Sequence, residues 1–200
     1  KKLSHLRKST RTIVPIQELK DRLLLEKLPR KMVCMDISTI QGTDTVSSAV
    51  FFENGKARKK HYRHFIIRSI DTQNDFAAMQ ETLDRFLLEV EKDHEMLPDL
   101  IVIDGGKGQL SSALSTLRSS RFAEIPIISI AKRIEELYMP NREEPIILPR
   151  SSSALRLLTV IRDEAHRFAI NFHRKRRSKR TLVSELKKYP ALASLPNFCY

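Results

Sequence analysis

Two stretches of the chain, MVCMDIST from Met32 to Thr39 and LIVID from Leu100 to Asp104, are apolar almost without a break. A strand with one wet face alternates apolar and polar residues. A short continuous apolar run reads instead as a strand buried inside a layered sheet. In both runs the interruption is an aspartate, and these two acids constrain fold and chemistry more than any other pair in the chain.

Around these runs the apolar period switches. Ser47 to Glu53 reads as a second strand ending at Asn54-Gly55, a strong hairpin signal, and Lys59 to Ile67 as a third, so the first part forms an antiparallel meander. Phe76, Met79, Leu83, Phe86, Leu87 and Val90 then recur at helical spacing, giving an amphipathic helix from Asp75 to Glu91. After LIVID, Gly105, Gly106 and Gly108 lead into a helix over Gln109 to Leu117, and Ile125 to Ala131 is a further buried strand. A turn-rich stretch holds Pro140, Pro145 and Pro149. A long helix from Ser152 to Arg174 follows, opened by serines suited to capping. The fold class is α/β: a mixed sheet, antiparallel meander plus parallel strands, flanked by helices. Met32–Thr39 is expected at its centre, with Ser47–Glu53 on one side and Leu100–Asp104 parallel on the other. Residues 1–31 read as a basic linker in which Leu19, Leu23 and Leu24 hint at a short helix ended by Pro29.

Lys and Arg outnumber Asp and Glu by 36 to 24, a net charge of +12. A globular domain this basic points to a polyanion, because clustered Lys and Arg gain by releasing counterions from phosphates. No apolar run approaches the roughly 20 residues needed to span a bilayer, so no membrane partner is expected. The N-terminus lacks the apolar core of a signal peptide and an initiator Met, as a piece of a longer chain would. Cys34 and Cys199 sit far apart in neither a disulfide nor a zinc pattern, which makes a reducing cytoplasm the expected compartment.

Asp36 lies inside its apolar strand and Asp104 ends the other, at the carboxyl edge where open α/β sheets place their sites. A carboxylate there is costly unless compensated. Each Asp can cap a turn or pair with an Arg; two on neighbouring strands can instead hold Mg²⁺ or Mn²⁺, which favour carboxylate oxygens and can activate water at a phosphodiester. On the last helix, Leu158, Ile161, Ala165, Ala169 and Phe172 line the apolar face and His166 falls on its border, with Arg162 and His173 on the same flank. Such a His is either a structural residue or a third ligand. The run HRKRRSKR from His173 to Arg180 is a solvated helix end or a phosphate-contacting surface, and the overall charge favours the latter. Gly-Gly-Lys-Gly after Asp104 lacks the spacing of a nucleotide-binding loop. It reads as a tight turn that admits a phosphate to backbone amides, with Lys107 adding a point charge.

MDISTIQGTDTVSSAVFFENGKARKKHYRHF, NDFAAMQETL, PDLIVIDGGKGQL, ISIAKRIEELYMP and RDEAHRFAINFHRKRRSKR occur in order from Lys31 to Leu182 and together resemble the C-terminal half of the bacterial UvrC excision-repair nuclease subunit. The resemblance implies an RNase H-like endonuclease domain over 32–182 that makes the 5′ incision beside a lesion in damaged double-stranded DNA. UvrB would be a partner in the UvrB–DNA pre-incision complex, through contacts mostly outside this stretch of chain, and UvrA an indirect one. It implies that Asp36, Asp104 and His166 form an Asp-Asp-His metal site, with Asp75 a fourth catalytic residue. Arg167 and the basic Arg174, Lys175, Arg176 and Arg177 would join Lys107 in contacting DNA. Two departures stand out. The family motif commonly continues Asp-Ile-Ser-His where this chain has Thr39, and the tail 183–200 carries no recognisable helix-hairpin-helix module, Tyr189 to Tyr200 having no glycine. The competing class is a non-catalytic DNA-binding scaffold of the same fold; a transposase relative or an RNA-degrading RNase H would share the metal logic.

Overall fold

A computed structural model describes residues 2–38, 45–67, 74–131 and 135–188. Thr39 and the tail from 189 lie outside them. In chain order the elements are α1 (Lys2–Leu23), β1 (Lys31–Ser38), β2 (Val46–Glu53), β3 (Lys56–Ala57), β4 (Arg63–Ile66), α2 (Asp75–Lys92), β5 (Leu100–Asp104), α3 (Lys107–Arg118), β6 (Ile127–Ile130), β7 (Leu137–Tyr138) and α4 (Ser153–Lys188). One sheet runs in the order β3-β2-β1-β5-β6-β7, with β4 also paired to β2. β1 is central: antiparallel to β2 and parallel to β5, as its apolar run demands. Met32 to Met35 and Leu100 to Ile103 are wholly buried. α2 and α3 cover one face of the sheet; α4, with α1 beside it, crosses the other.

Several expectations need correction. Residues 1–31 are no linker: α1 is a 22-residue helix whose Ile16, Leu19 and Leu23, spaced to share one face, are buried in the core. It ends before Pro29, because Leu24 takes a left-handed conformation (φ 53°) and the Leu25 N–H bonds back to the Lys20 carbonyl at 3.0 Å. The third strand is halved. Asn54 and Gly55 both have positive φ, as the hairpin requires, but Lys59–His61 form a 3-10 turn because His61 folds inward against the Phe51 ring, 5.3 Å between centroids. Phe76 is not on the core face of α2: it is 52 % exposed. A Cβ on Gly108 would lie 2.6 Å from its ring, so glycine there lets the ring rest on α3.

α4 passes both its expected end at Arg174 and the expected boundary at 182, since HRKRRSKRTLVSELKK holds neither glycine nor proline. Its start is capped twice. Ser152 Oγ accepts the Leu155 N–H at 3.0 Å, and Glu18 of α1 accepts the Ser153 and Ala154 N–H groups at 2.9 and 3.1 Å, together with the Ser153 hydroxyl. The Ser153 hydroxyl bond above all holds the Glu18 carboxyl at about 2, below its ordinary 4.5. Among the described residues no helix is long and apolar enough to cross a membrane.

Candidate active site

The β1–β5 register pairs Met35 with Ile103, so one step on Asp36 and Asp104 stand side by side, and both are buried. α4 lays Ala154, Leu158, Ile161, Ala165 and Ala169 on the sheet. The two alanines at 165 and 169 leave little bulk between helix and sheet at this level, and His166 emerges at the rim with its side chain 48 % exposed. His166 Nδ1 lies 3.1 Å from Asp36 Oδ2, the ring N–H donating to the carboxylate. One ligand atom each from Asp36, Asp104 and His166 lie within 4.8 Å of one another. Two carboxylates and one imidazole form a donor set suited to Mg²⁺ or Mn²⁺, and the partly exposed imidazole leaves an approach from solvent. The group fits the cation that the sequence implies.

The other expected site residues divide. Asp75 is exposed at the first position of α2, outside that group of three. Lys107 opens α3 after Gly106, which has no side chain to cap the helix, and its Nζ reaches the Glu143 carbonyl at 3.5 Å. Arg167 is held by both oxygens of Glu164 at 2.7 Å, which raises the guanidinium pKa and lowers that of Glu164. Glu164 also accepts from Tyr62, whose own pKa is driven upward by burial first and then by that carboxylate. Arg174 and Lys175 are exposed on α4. Arg176 and Arg177 lie within its span, their side chains outside the described residues. His173, on the flank of His166, is buried, and its Nε2–H donates to the Ser38 carbonyl at 3.1 Å.

Two residues beside the site escaped the sequence. Ser48, opposite Asp36 on β2, is wholly buried and donates to the Ala165 carbonyl at 3.0 Å. His64, opposite Ser48 on β4, reaches the Phe168 carbonyl at 3.2 Å, and burial foremost lowers its pKa. The signal was available for Ser48, which is polar inside the apolar run VSSAVFF just as Asp36 is inside its own.

A family model described as the UvrC RNase H endonuclease domain matches residues 20–170. UvrABC system protein C of Gemmatimonas aurantiaca is 48% identical over 191 residues, covering 96% of this chain and 31% of that protein. Its counterpart in Chlorobium chlorochromatii is 51% identical over 168 residues, covering 84% and 27%. The chain thus spans under a third of the length of these relatives. Among solved structures, an endonuclease V from Ciona intestinalis in complex with DNA gives a TM-score of 0.40 at 19% identity, covering 54% of this chain and 48% of that one. The catalytic domain of the Mos1 mariner transposase gives 0.36 at 10% identity, covering 80% and 91%. Likenesses this slight bear on neither site nor chemistry.

Proposed function

The chain belongs to the UvrC RNase H endonuclease domain family, and from that premise we propose that it hydrolyses one DNA strand, making the 5′ incision of nucleotide excision repair with a divalent cation held by Asp36, Asp104 and His166. The observation that carries this reading is the convergence of those three side chains within 4.8 Å, from two strands and a helix remote in sequence. When bound, Mg²⁺ or Mn²⁺ supplies Lewis-acid polarisation of a phosphoryl oxygen and activation of a water. Asp36 and Asp104 supply the negative charge, and their burial keeps it from being screened by solvent. His166 completes the ligand set or carries a proton at Nδ1, the atom that faces Asp36.

The uncapped N-terminus of α3, Lys107 and the exposed Arg174 and Lys175 act as backbone-phosphate contacts, and Arg176 and Arg177 belong to the same basic run of sequence. Arg167 joins them only by leaving Glu164. Asp75 acts at the edge of the site from the α2 N-terminus. The substrate is damaged double-stranded DNA, delivered in a complex with UvrB after UvrA has acted, in the cytoplasm.

The test is incision of a lesion-bearing duplex by the complete repair complex carrying Asp36→Asn or Asp104→Asn, with Mg²⁺ and with folding checked in parallel. Either variant should abolish the 5′ cut while leaving DNA binding nearly intact. Wild-type cutting by a folded Asp36→Asn protein would sink the mechanism.

A further inference from the structure

One register row crosses four neighbouring strands on the α4 side of the sheet: Asp104 on β5, Asp36 on β1, Ser48 on β2 and His64 on β4. Residues directly opposite in antiparallel strands share a face, and three members of this row reach a single turn of α4. Asp36 meets the His166 side chain, Ser48 the carbonyl of Ala165, and His64 the carbonyl of Phe168. The His64 ring is also stacked on Phe168 and Phe172, with centroids at 3.7 and 4.2 Å and planes 20° apart.

We propose that Ser48 and His64 are positioning residues for the metal site, gripping the backbone of the α4 turn that carries His166 and so setting its imidazole against Asp36 and Asp104. This inference rests on the reading of those three residues as ligands.

The physical case lies in what each contact can and cannot fix. Apolar packing of Ala165 and Ala169 on the sheet is non-directional and tolerates sliding or rotation of the helix. A hydrogen bond to a main-chain carbonyl is directional and fixes the helix itself, whatever side chain it bears. A helical carbonyl has a second lone pair, so the grip costs α4 none of its own ladder. Because a carbonyl only accepts, His64 must carry its proton on Nε2. The two grips fall one residue before and two after His166, which bounds its freedom from both sides. A ligand held within a fraction of an ångström binds a cation better than one that must be ordered on binding.

The test uses the whole chain bearing Ser48→Ala, His64→Phe, which keeps the stack and removes the N–H donor, or both. Thr82→Ala serves as the control, because Thr82 makes an equally buried hydroxyl-to-carbonyl bond, to Ala78 within α2, remote from the row. Two readouts are taken: the ¹⁵N resonance of His166 Nδ1 in the metal-free chain, and Mn²⁺ affinity by calorimetry. Each row variant should move the Nδ1 resonance and weaken Mn²⁺ binding about tenfold, the double variant more, while Thr82→Ala changes neither. Unchanged resonance and affinity in folded Ser48→Ala and His64→Phe would overturn the proposal, as would an equal loss in Thr82→Ala. Should Asp36→Asn leave Mn²⁺ binding untouched, the ligand assignment falls. The Nδ1 resonance, which needs no cation, then shows whether the row positions His166, but the proposed role at a metal site falls with the assignment.

Discussion

Among the described residues, two groups bring one histidine together with two acids, at opposite ends of β1, and they are built in reverse. Near Lys31, His61 is buried and lies 3.7 Å from Asp93 and 3.9 Å from Glu95, both of which are open to solvent. Glu95 is answered by Lys60 at 2.6 Å. Burial foremost lowers the His61 pKa, with Lys60 adding to the effect and the two acids opposing it. Near the other end of β1, the acids Asp36 and Asp104 are buried and the histidine faces water. Exposed carboxylates are screened by water and salt and concentrate little field. Buried carboxylates beside an exposed imidazole concentrate negative charge where a small cation can arrive and a large side chain cannot. The same residue types thus give two different electrostatic environments, and which members are buried decides which of them could attract a cation.

The largest expected difference between the two groups is in cation binding. Asp36→Asn or Asp104→Asn should remove Mn²⁺ binding and incision together. Because such residues act as a unit, the double variant should be scarcely worse than either single. Equivalent losses from Glu95→Gln would erase the contrast.

A finer version of the comparison lies along α4. His166→Ala should abolish metal binding with little change in thermal midpoint, whereas His173→Ala should leave metal binding near wild type. The latter should cost about 1–2 kcal/mol by depriving the half-buried Ser38 carbonyl of its donor, measured by denaturant unfolding. His173 cannot stand in for His166, because its imidazole is already committed to Ser38.

Neutralising Arg174, Lys175, Arg176 and Arg177 together should flatten the salt dependence of DNA affinity, by about 0.9 in log–log slope for each phosphate that they had neutralised. An unchanged slope would return the run to a solvated helix end.

Smaller again is Glu18→Gln, which weakens the cap that α1 places on α4 and should destabilise the chain by about 1 kcal/mol at neutral pH. The folded-state carboxyl titrates at about 2 against an ordinary 4.5. Its contribution is therefore complete above 4.5 and fades as pH falls toward 2, and the difference between wild type and Glu18→Gln should shrink over that interval. Least of all, Glu95→Gln should change neither the thermal midpoint nor Mn²⁺ affinity measurably, its carboxylate and its Lys60 partner both being exposed.

What was legible in the sequence was whatever burial writes as composition. MVCM and LIVI are unbroken apolar runs because both faces of β1 and β5 are covered, and the two acids that break the pattern are the two that meet. The position of His166 at the border of its helix follows from the helical angle alone. The misses have a common cause in tertiary context. α1 reads as a linker because its charged residues dilute the stripe of Ile16, Leu19 and Leu23, which becomes visible only once α4 lies beside it. Phe76 matches the helical period but sits beyond the sheet, where Gly108 offers a seat for its ring. Ser48 and His64 act through backbone carbonyls of another element, and a contact to main chain leaves no trace in the residue contacted.

The most direct test of the central claim is anomalous diffraction from crystals of the chain grown with Mn²⁺. One strong peak should lie between Asp36, Asp104 and His166, with bonds of about 2 Å to their oxygen and nitrogen atoms, and should vanish in crystals of Asp36→Asn. Crystals of the wild-type chain with Mn²⁺ bound elsewhere and no peak at this place would contradict the account.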